Sequence, residues 1–156
     1  MNIDTDYLFR MFKYAHSTQT AVMLRGVHGI GKSVIPHEYA EENGYYIEHQ
    51  WATGQDPTDL VGLTKDKVVI QGGKDVVIQY WTQPIWLHRI WEQHYLGKKT
   101  VFLLDELSRA NEEIIQMSLS MLNDRRIHEH SFPPDCLILT SVNPESTSSK
   151  QYANVD

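Results

Sequence analysis

The segment Gly26-Val27-His28-Gly29-Ile30-Gly31-Lys32-Ser33 constrains this chain more than any other. It meets the phosphate-loop pattern G-x-x-x-x-G-K-[ST] at every fixed position, and its setting agrees. Ala21 to Leu24 reads as a short buried strand before it, and a helix from about Lys32 to Asn43, ended by Gly44, reads after it. Glycines let the backbone curl until successive N–H groups face inward on phosphate oxygens, and the helix N-terminus adds its positive end. In that geometry Gly26, Val27, His28, Gly29, Ile30 and Gly31 form the cradle. Lys32 reaches the β- and γ-phosphates, and the Ser33 hydroxyl ligates Mg2+.

Short apolar runs alternate with amphipathic segments along the chain, the pattern of an α/β domain with a mostly parallel sheet. A leading helix from Asp6 to about Ser17 places Leu8, Met11, Phe12 and Ala15 on one face. Tyr45 to Gln50 has strand propensity and leads into a turn-rich stretch with a helix-start signal around Asp56. The runs Lys67 to Gln71 and Val76 to Trp81 predict a β-hairpin over 67–81, closed by a four-residue loop at Gly72-Gly73-Lys74-Asp75. Pro84 opens a helix whose stripe is Leu87, Trp91 and Tyr95, and Asn111 caps another with Ile115, Leu119 and Leu122 along one face. The tryptophans of this region read as core. Residues 145–156 read as loop or tail.

Two further strands end in polar groups suited to the same chemistry. Thr100 to Leu104 is followed by Asp105 and Glu106. A carboxylate at a strand's carboxyl end can hold magnesium, the role expected of Asp105, and Glu106 is placed to orient or deprotonate a water attacking the γ-phosphate. Ile138 to Val142 ends at Asn143, whose amide can hydrogen-bond the γ-phosphate or that water. Each ending is common alone; beside a complete phosphate loop on one sheet edge they define a site.

Composition narrows the classes. The 156 residues carry 14 Lys+Arg against 20 Asp+Glu, a net charge of −6, which argues against a dedicated nucleic-acid binder. Apolar residues at 41% suit a single folded domain and are too many for intrinsic disorder. No apolar run approaches the roughly 18 residues of a membrane span, and the polar start lacks signal-peptide character, so a cytoplasmic protein without membrane contact is expected. The single cysteine, Cys136, reads as a buried, inert thiol, and the eight histidines repeat no familiar ligand spacing.

The three elements together resemble the AAA+ ATPases. GVHGIGKS at 26 to 33, DPTDLVGL at 56 to 63, the hairpin and helix from 67 to 96, VFLLDELSRANEEIIQMSLSMLNDRRI at 101 to 127 and LILTSVNP at 137 to 144 narrow the resemblance to the MoxR-like and dynein/midasin-related branch. It covers about residues 20 to 145. It implies a P-loop NTPase fold, a three-layer α/β sandwich with a mostly parallel sheet and an inserted β-hairpin. ATP and Mg2+ lie, in that family, at the junction of two subunits of a ring, usually a hexamer, and the neighbour supplies an arginine finger. The hairpin of this branch often faces substrate or the central pore. The family commonly remodels proteins, with partners carrying a von Willebrand A domain. ATP over GTP rests on the resemblance alone.

In the family a fifth strand, the arginine finger and a small helical lid with a further arginine follow the sensor asparagine, whereas this sequence stops at Asp156. A truncated module is therefore expected, with its phosphate-loop strand at the sheet edge. Arg109, Arg125 and Arg126 read as a solvated helix end and surface pairing. The leading functional expectation is the core of an ATP-driven remodelling motor. A nucleotide-gated binding module with little hydrolysis stays open, as does a DNA-directed motor, for which the hairpin carries Lys65, Lys67 and Lys74. A small-molecule kinase would need an acceptor pocket and a lid of its own, and no segment supplies them.

Overall fold

The computed structural model describes residues 4–27, 29 and 31–144. The tail expected at 145–156 lies outside the described residues. A central parallel sheet is built from β1 (Val22–Arg25), β2 (Tyr46–Trp51), β5 (Thr100–Asp105) and β8 (Cys136–Val142), in the order β1-β8-β5-β2. Strand β5 is buried along its whole length, as parallel strands covered on both faces must be. Its side chains alternate between two cores. Val101 and Leu103 join Leu137 and Leu139 of β8 in a core with residues of α1 (Thr5–Thr18) and α2 (Val34–Asn43). Phe102, Leu104 and Ile138 pack with residues of α3 (Pro57–Val61), α4 (Ile85–Tyr95) and α5 (Glu112–Asp124).

The helix ends follow from local chemistry. The Asp4 side chain accepts from the Asp6 N–H to start α1, and Asn111 accepts from the Ile114 N–H to start α5, with Glu112 and Glu113 in the favourable first turn. Gly44, at φ 68°, ends α2. In the second core the Trp86 ring stacks on Phe102 at 4.5 Å, and its Nε1–H donates to the Leu60 carbonyl at 2.8 Å. Burying an aromatic side chain of this kind contributes about 2–3 kcal/mol.

Three expectations about helix faces are corrected. The buried stripe of α4 is Trp86, Leu87 and Ile90, while Tyr95 is exposed, because steps of four residues drift around the helix until the last one leaves the core. In α5 the innermost residues are Ile114, Ser118 and Met121, with Leu119 exposed. Ser118 satisfies its hydroxyl on the Ile114 carbonyl at 2.6 Å, so a polar residue sits where an apolar stripe was sought. Met11 on α1 is likewise exposed, and His16 is buried beside Leu8, Phe12 and Ala15.

The hairpin is longer and tighter than expected. Its strands β3 (Thr64–Gln71) and β4 (Lys74–Trp81) pair from Thr64↔Trp81 to Gln71↔Lys74, leaving a two-residue turn at Gly72 and Gly73. Both glycines have positive φ, 58° and 78°, as a type I′ turn requires, so Lys74 and Asp75 join the ladder. A small ribbon of β6 (Arg126–Ile127) and β7 (His130–Ser131), unforeseen in the sequence, anchors its root. His128 stacks on Trp81 at 3.6 Å, Glu129 accepts from the Trp81 N–H, and His130 bonds the Trp81 carbonyl.

Candidate functional site

The parallel strands β1, β5 and β8 deliver their carboxyl ends to one edge, the position at which open α/β sheets bind ligands. There Gly29, Gly31, Lys32, Glu106, Ser141 and Asn143 line a cleft of about 310 Å³. Gly29 and Gly31 hold φ of 86° and 90°, a region that glycine adopts without strain. Of the other loop residues, Gly26 donates its N–H to the Val142 carbonyl at 3.3 Å and Val27 is exposed. His28 and Ile30 lie outside the described residues.

Lys32 bridges the loop to β8. Its ammonium donates to the Gly26 carbonyl, to the Val142 carbonyl at 3.2 Å and to Asn143 Oδ1 at 2.7 Å. Burial pulls the Lys32 pKa down from its usual value, against the opposing pull of the Asp105 and Glu106 carboxylates. Asn143 is held in turn, its backbone N–H donating to Ser108 Oγ at 3.0 Å.

Ser33 precedes α2 but its side chain does not cap it; the hydroxyl turns to Asp105 Oδ2 at 2.5 Å. Asp105 gathers donors on both oxygens. Oδ2 also meets His49 Nε2 at 3.0 Å, while Oδ1 accepts from the Ser141 hydroxyl and from the Glu106 N–H at 3.0 Å. Burial works to raise its pKa, but the donors His49, Ser141 and Ser33 outweigh that and hold the carboxyl well below the usual carboxylate range. An ionised oxygen ligand thus stands beside a hydroxyl, a donor set that fits a hard cation such as magnesium.

Glu106 sits at φ 59°, a left-handed position uncommon for a residue with a side chain. Its N–H also donates to Ser141 Oγ, and its Oε2 accepts from Thr53 Oγ1, both at 3.0 Å. Lys32, Ser33, Asp105, Glu106 and Asn143, all singled out from sequence, therefore meet in one place. Ser141, Ser108, His49 and Thr53 were not foreseen. The polar pair Thr140-Ser141 within an apolar strand was a signal for Ser141, whereas nothing marked Thr53, which reaches the site from a loop. Arg125 has a structural task instead: its guanidinium bonds the Pro133 and Cys136 carbonyls at 2.9 and 2.6 Å. Burial pushes the Cys136 thiol up to about 12, so it stays protonated.

No helix among the described residues is long and apolar enough to cross a membrane. Among solved structures, a suspected ATPase from Cytophaga hutchinsonii matches at 16% identity and TM-score 0.52, over 88% of this chain and 38% of that one. A point mutant of RuvB from Thermotoga maritima matches at 14% identity and TM-score 0.50, over 87% of this chain and 36% of that one. At such identities the likeness concerns the fold, and the chain spans well under half the length of either structure. No curated protein matches. The sequence profile of the AAA domain (dynein-related subfamily) matches residues 21–151, most of the chain, and the chain belongs to that family of AAA+ ATPase domains.

Proposed function

We propose that the cleft binds ATP with Mg2+ and hydrolyses it, as the core of a ring-forming motor of the MoxR-like kind that remodels a protein partner. The observation that carries this reading is the convergence of Lys32, Ser33, Asp105, Glu106 and Asn143 on one cleft. The backbone from Gly26 through Val27, His28, Gly29 and Ile30 to Gly31 cradles the phosphates. Lys32 exchanges its carbonyl partners for β- and γ-phosphate oxygens, and Asn143 hydrogen-bonds the γ-phosphate or the attacking water. Ser33 and Asp105 hold the magnesium ion, which when bound supplies charge neutralisation at the phosphates. Glu106 orients the water and accepts its proton.

AAA+ members commonly assemble into rings, and a hexamer in which a neighbouring subunit lends an arginine would complete the site. A von Willebrand A domain protein is the partner class that the MoxR-like resemblance favours. Binding of a fluorescent ATP analogue and phosphate release test the reading. Lys32→Ala should lose binding, and Glu106→Gln should keep binding while hydrolysis slows about 100-fold or more. Unchanged binding in the first variant would remove the phosphate-loop assignment; full turnover in the second would remove the assigned base.

Two observations favour other readings. Lys32 and Glu106 are already engaged by protein groups, as suits a nucleotide-gated binding module with little intrinsic hydrolysis. The hairpin register sorts Lys65, Lys67 and Lys74 onto one face with Tyr80, away from Asp66 and Asp75, as suits a DNA-directed motor. Hydrolysis that rises with added DNA supports the latter, and a flat response opposes it.

A further inference from the structure

The roles assigned above use Asp105 but leave unexplained the imidazole that meets it from β2. His49 presents Nε2 to Asp105 Oδ2 at 3.0 Å and Nδ1 to His37 Nε2, on α2, at 2.9 Å. Its ring lies nearly flat on the Trp51 indole, with centroids 4.0 Å apart and planes at 20°. Contacts on two ring nitrogens and one ring face leave the imidazole a single orientation. The strand register explains its reach: His49 pairs with Leu103 and Trp51 with Asp105, so the side chain leans two residues along the neighbouring strand to the carboxylate.

The donors around Asp105 divide by oxygen. Oδ1 takes the Ser141 hydroxyl and the Glu106 N–H, whereas Oδ2 takes the Ser33 hydroxyl and His49. Asp105 as a carboxylate only accepts, so Nε2 of His49 carries the hydrogen in this contact. Ser33 is the group expected to turn towards a cation. His49 is then the donor that keeps Oδ2 in place when the hydroxyl lone pairs are shared with a metal.

Resting on the reading that the cleft takes a magnesium nucleotide, we propose that His49 is a positioning residue. It locks Asp105 Oδ2 beside Ser33 so that carboxylate and hydroxyl meet the ion as a preformed pair, and His37 and Trp51 hold the imidazole in turn. Partners that orient a metal's ligands govern its affinity in this way.

The test uses the whole chain and a fluorescent ADP analogue. Its dissociation constant is measured in EDTA, and then the Mg2+ concentration that half-maximally tightens binding. His49→Leu, which cannot donate, should raise that Mg2+ concentration about tenfold and leave the EDTA value within about twofold. His49→Gln, whose amide nitrogen reaches the place of Nε2, should restore the requirement to within about threefold of the unaltered chain. His37→Ala, at an exposed helical position, should raise it about threefold and carries the test should His49→Leu fail to fold. An unaltered Mg2+ requirement in His49→Leu, or in His37→Ala where the former is unfolded, overturns the proposal. So does equal impairment of His49→Leu and His49→Gln with a weakened EDTA value, the mark of a ring that serves only packing. If Mg2+ does not tighten binding to the unaltered chain, the site reading itself fails and takes this proposal with it. A normal response there with a flat His49→Leu result defeats the proposal alone.

Discussion

Thr53 Oγ1 donates a 3.0 Å hydrogen bond to Glu106 Oε2, tying the loop after β2 to the residue that follows β5. The backbone of Glu106 is pinned from the other side by Ser141, so loop and β8 together aim one carboxylate. Hydrogen bonds to charged groups contribute about 1.5–3 kcal/mol, enough to select a rotamer. Thr53→Val keeps the shape and removes the donor. Hydrolysis should fall about tenfold with nucleotide affinity unchanged, as expected for a misaimed base. Single-turnover phosphate release beside an equilibrium binding titration separates the two; equal loss in both would contradict this role.

Gly62 follows α3 at φ 89°, and a Cβ there would stand 2.5 Å from the Thr82 carbonyl oxygen. The obstacle is a backbone oxygen held in place, since the Thr82 N–H donates to the Leu63 carbonyl at 2.7 Å and Thr82 Oγ1 accepts from the Leu63 N–H at 3.0 Å. Gly62→Ala should therefore cost about 1–3 kcal/mol. Thermal unfolding should show a loss of several degrees, and an unchanged midpoint would mean the clasp yields freely.

Glu48 is buried on β2 and receives Arg89 Nη2 at 2.5 Å and Nε at 3.1 Å, with Tyr46 and Gln50 completing its donors. Half of this pair faces water, since the Arg89 side chain is 42% exposed against 5% for Glu48. Arg89→Met strands the carboxylate and should cost about 1–3 kcal/mol, below the value for a fully buried pair. The double variant Glu48→Leu with Arg89→Met should recover most of that loss. Denaturant titrations of the unaltered chain, the single variants Arg89→Met and Glu48→Leu, and the double variant close the cycle.

Stability should fall in two stages on acidification. Burial lowers the pKa of His16, His37 and His128 from the ordinary 6.5, so the unfolded chain protonates first and stability begins to fall as pH drops below that value. The carboxyls of Glu48 and Asp105 are also lowered in the folded chain. Their contribution is present above the ordinary carboxylate pKa of about 4 and is lost as pH falls below it. His16→Gln, which can still donate to the Asp135 carbonyl, should flatten the first stage. Unfolding midpoints in urea across the pH series measure both stages, and a stage unaltered in His16→Gln would remove that residue from it.

The phosphate-loop half of the site was legible because its chemistry is contiguous: a strand, a Gly-rich turn and a helix announce one another. Asp105, Glu106 and Asn143 were legible through strands that end in polar groups. What escaped was whatever depends on register between distant strands. His49 looks like any residue of a β-prone run until its strand lies beside Leu103, and Thr53 is one polar residue among many in a loop. The helix faces went astray for another reason, since Ser118 interrupts the apolar pattern of α5 and Tyr95 extends that of α4 beyond the turn that is buried.

Among the described residues β1 is paired along one side only, with β8, while Asp105 ends β5, which is flanked by β2 and β8, and Glu106 follows it directly. The cradle thus hangs from the least braced strand and the acidic groups from one of the firmest. A ligand gripping both halves would splice the fraying margin of the sheet to its interior, so occupancy and endurance would be coupled. Heat resistance would then rise with the logarithm of ligand concentration.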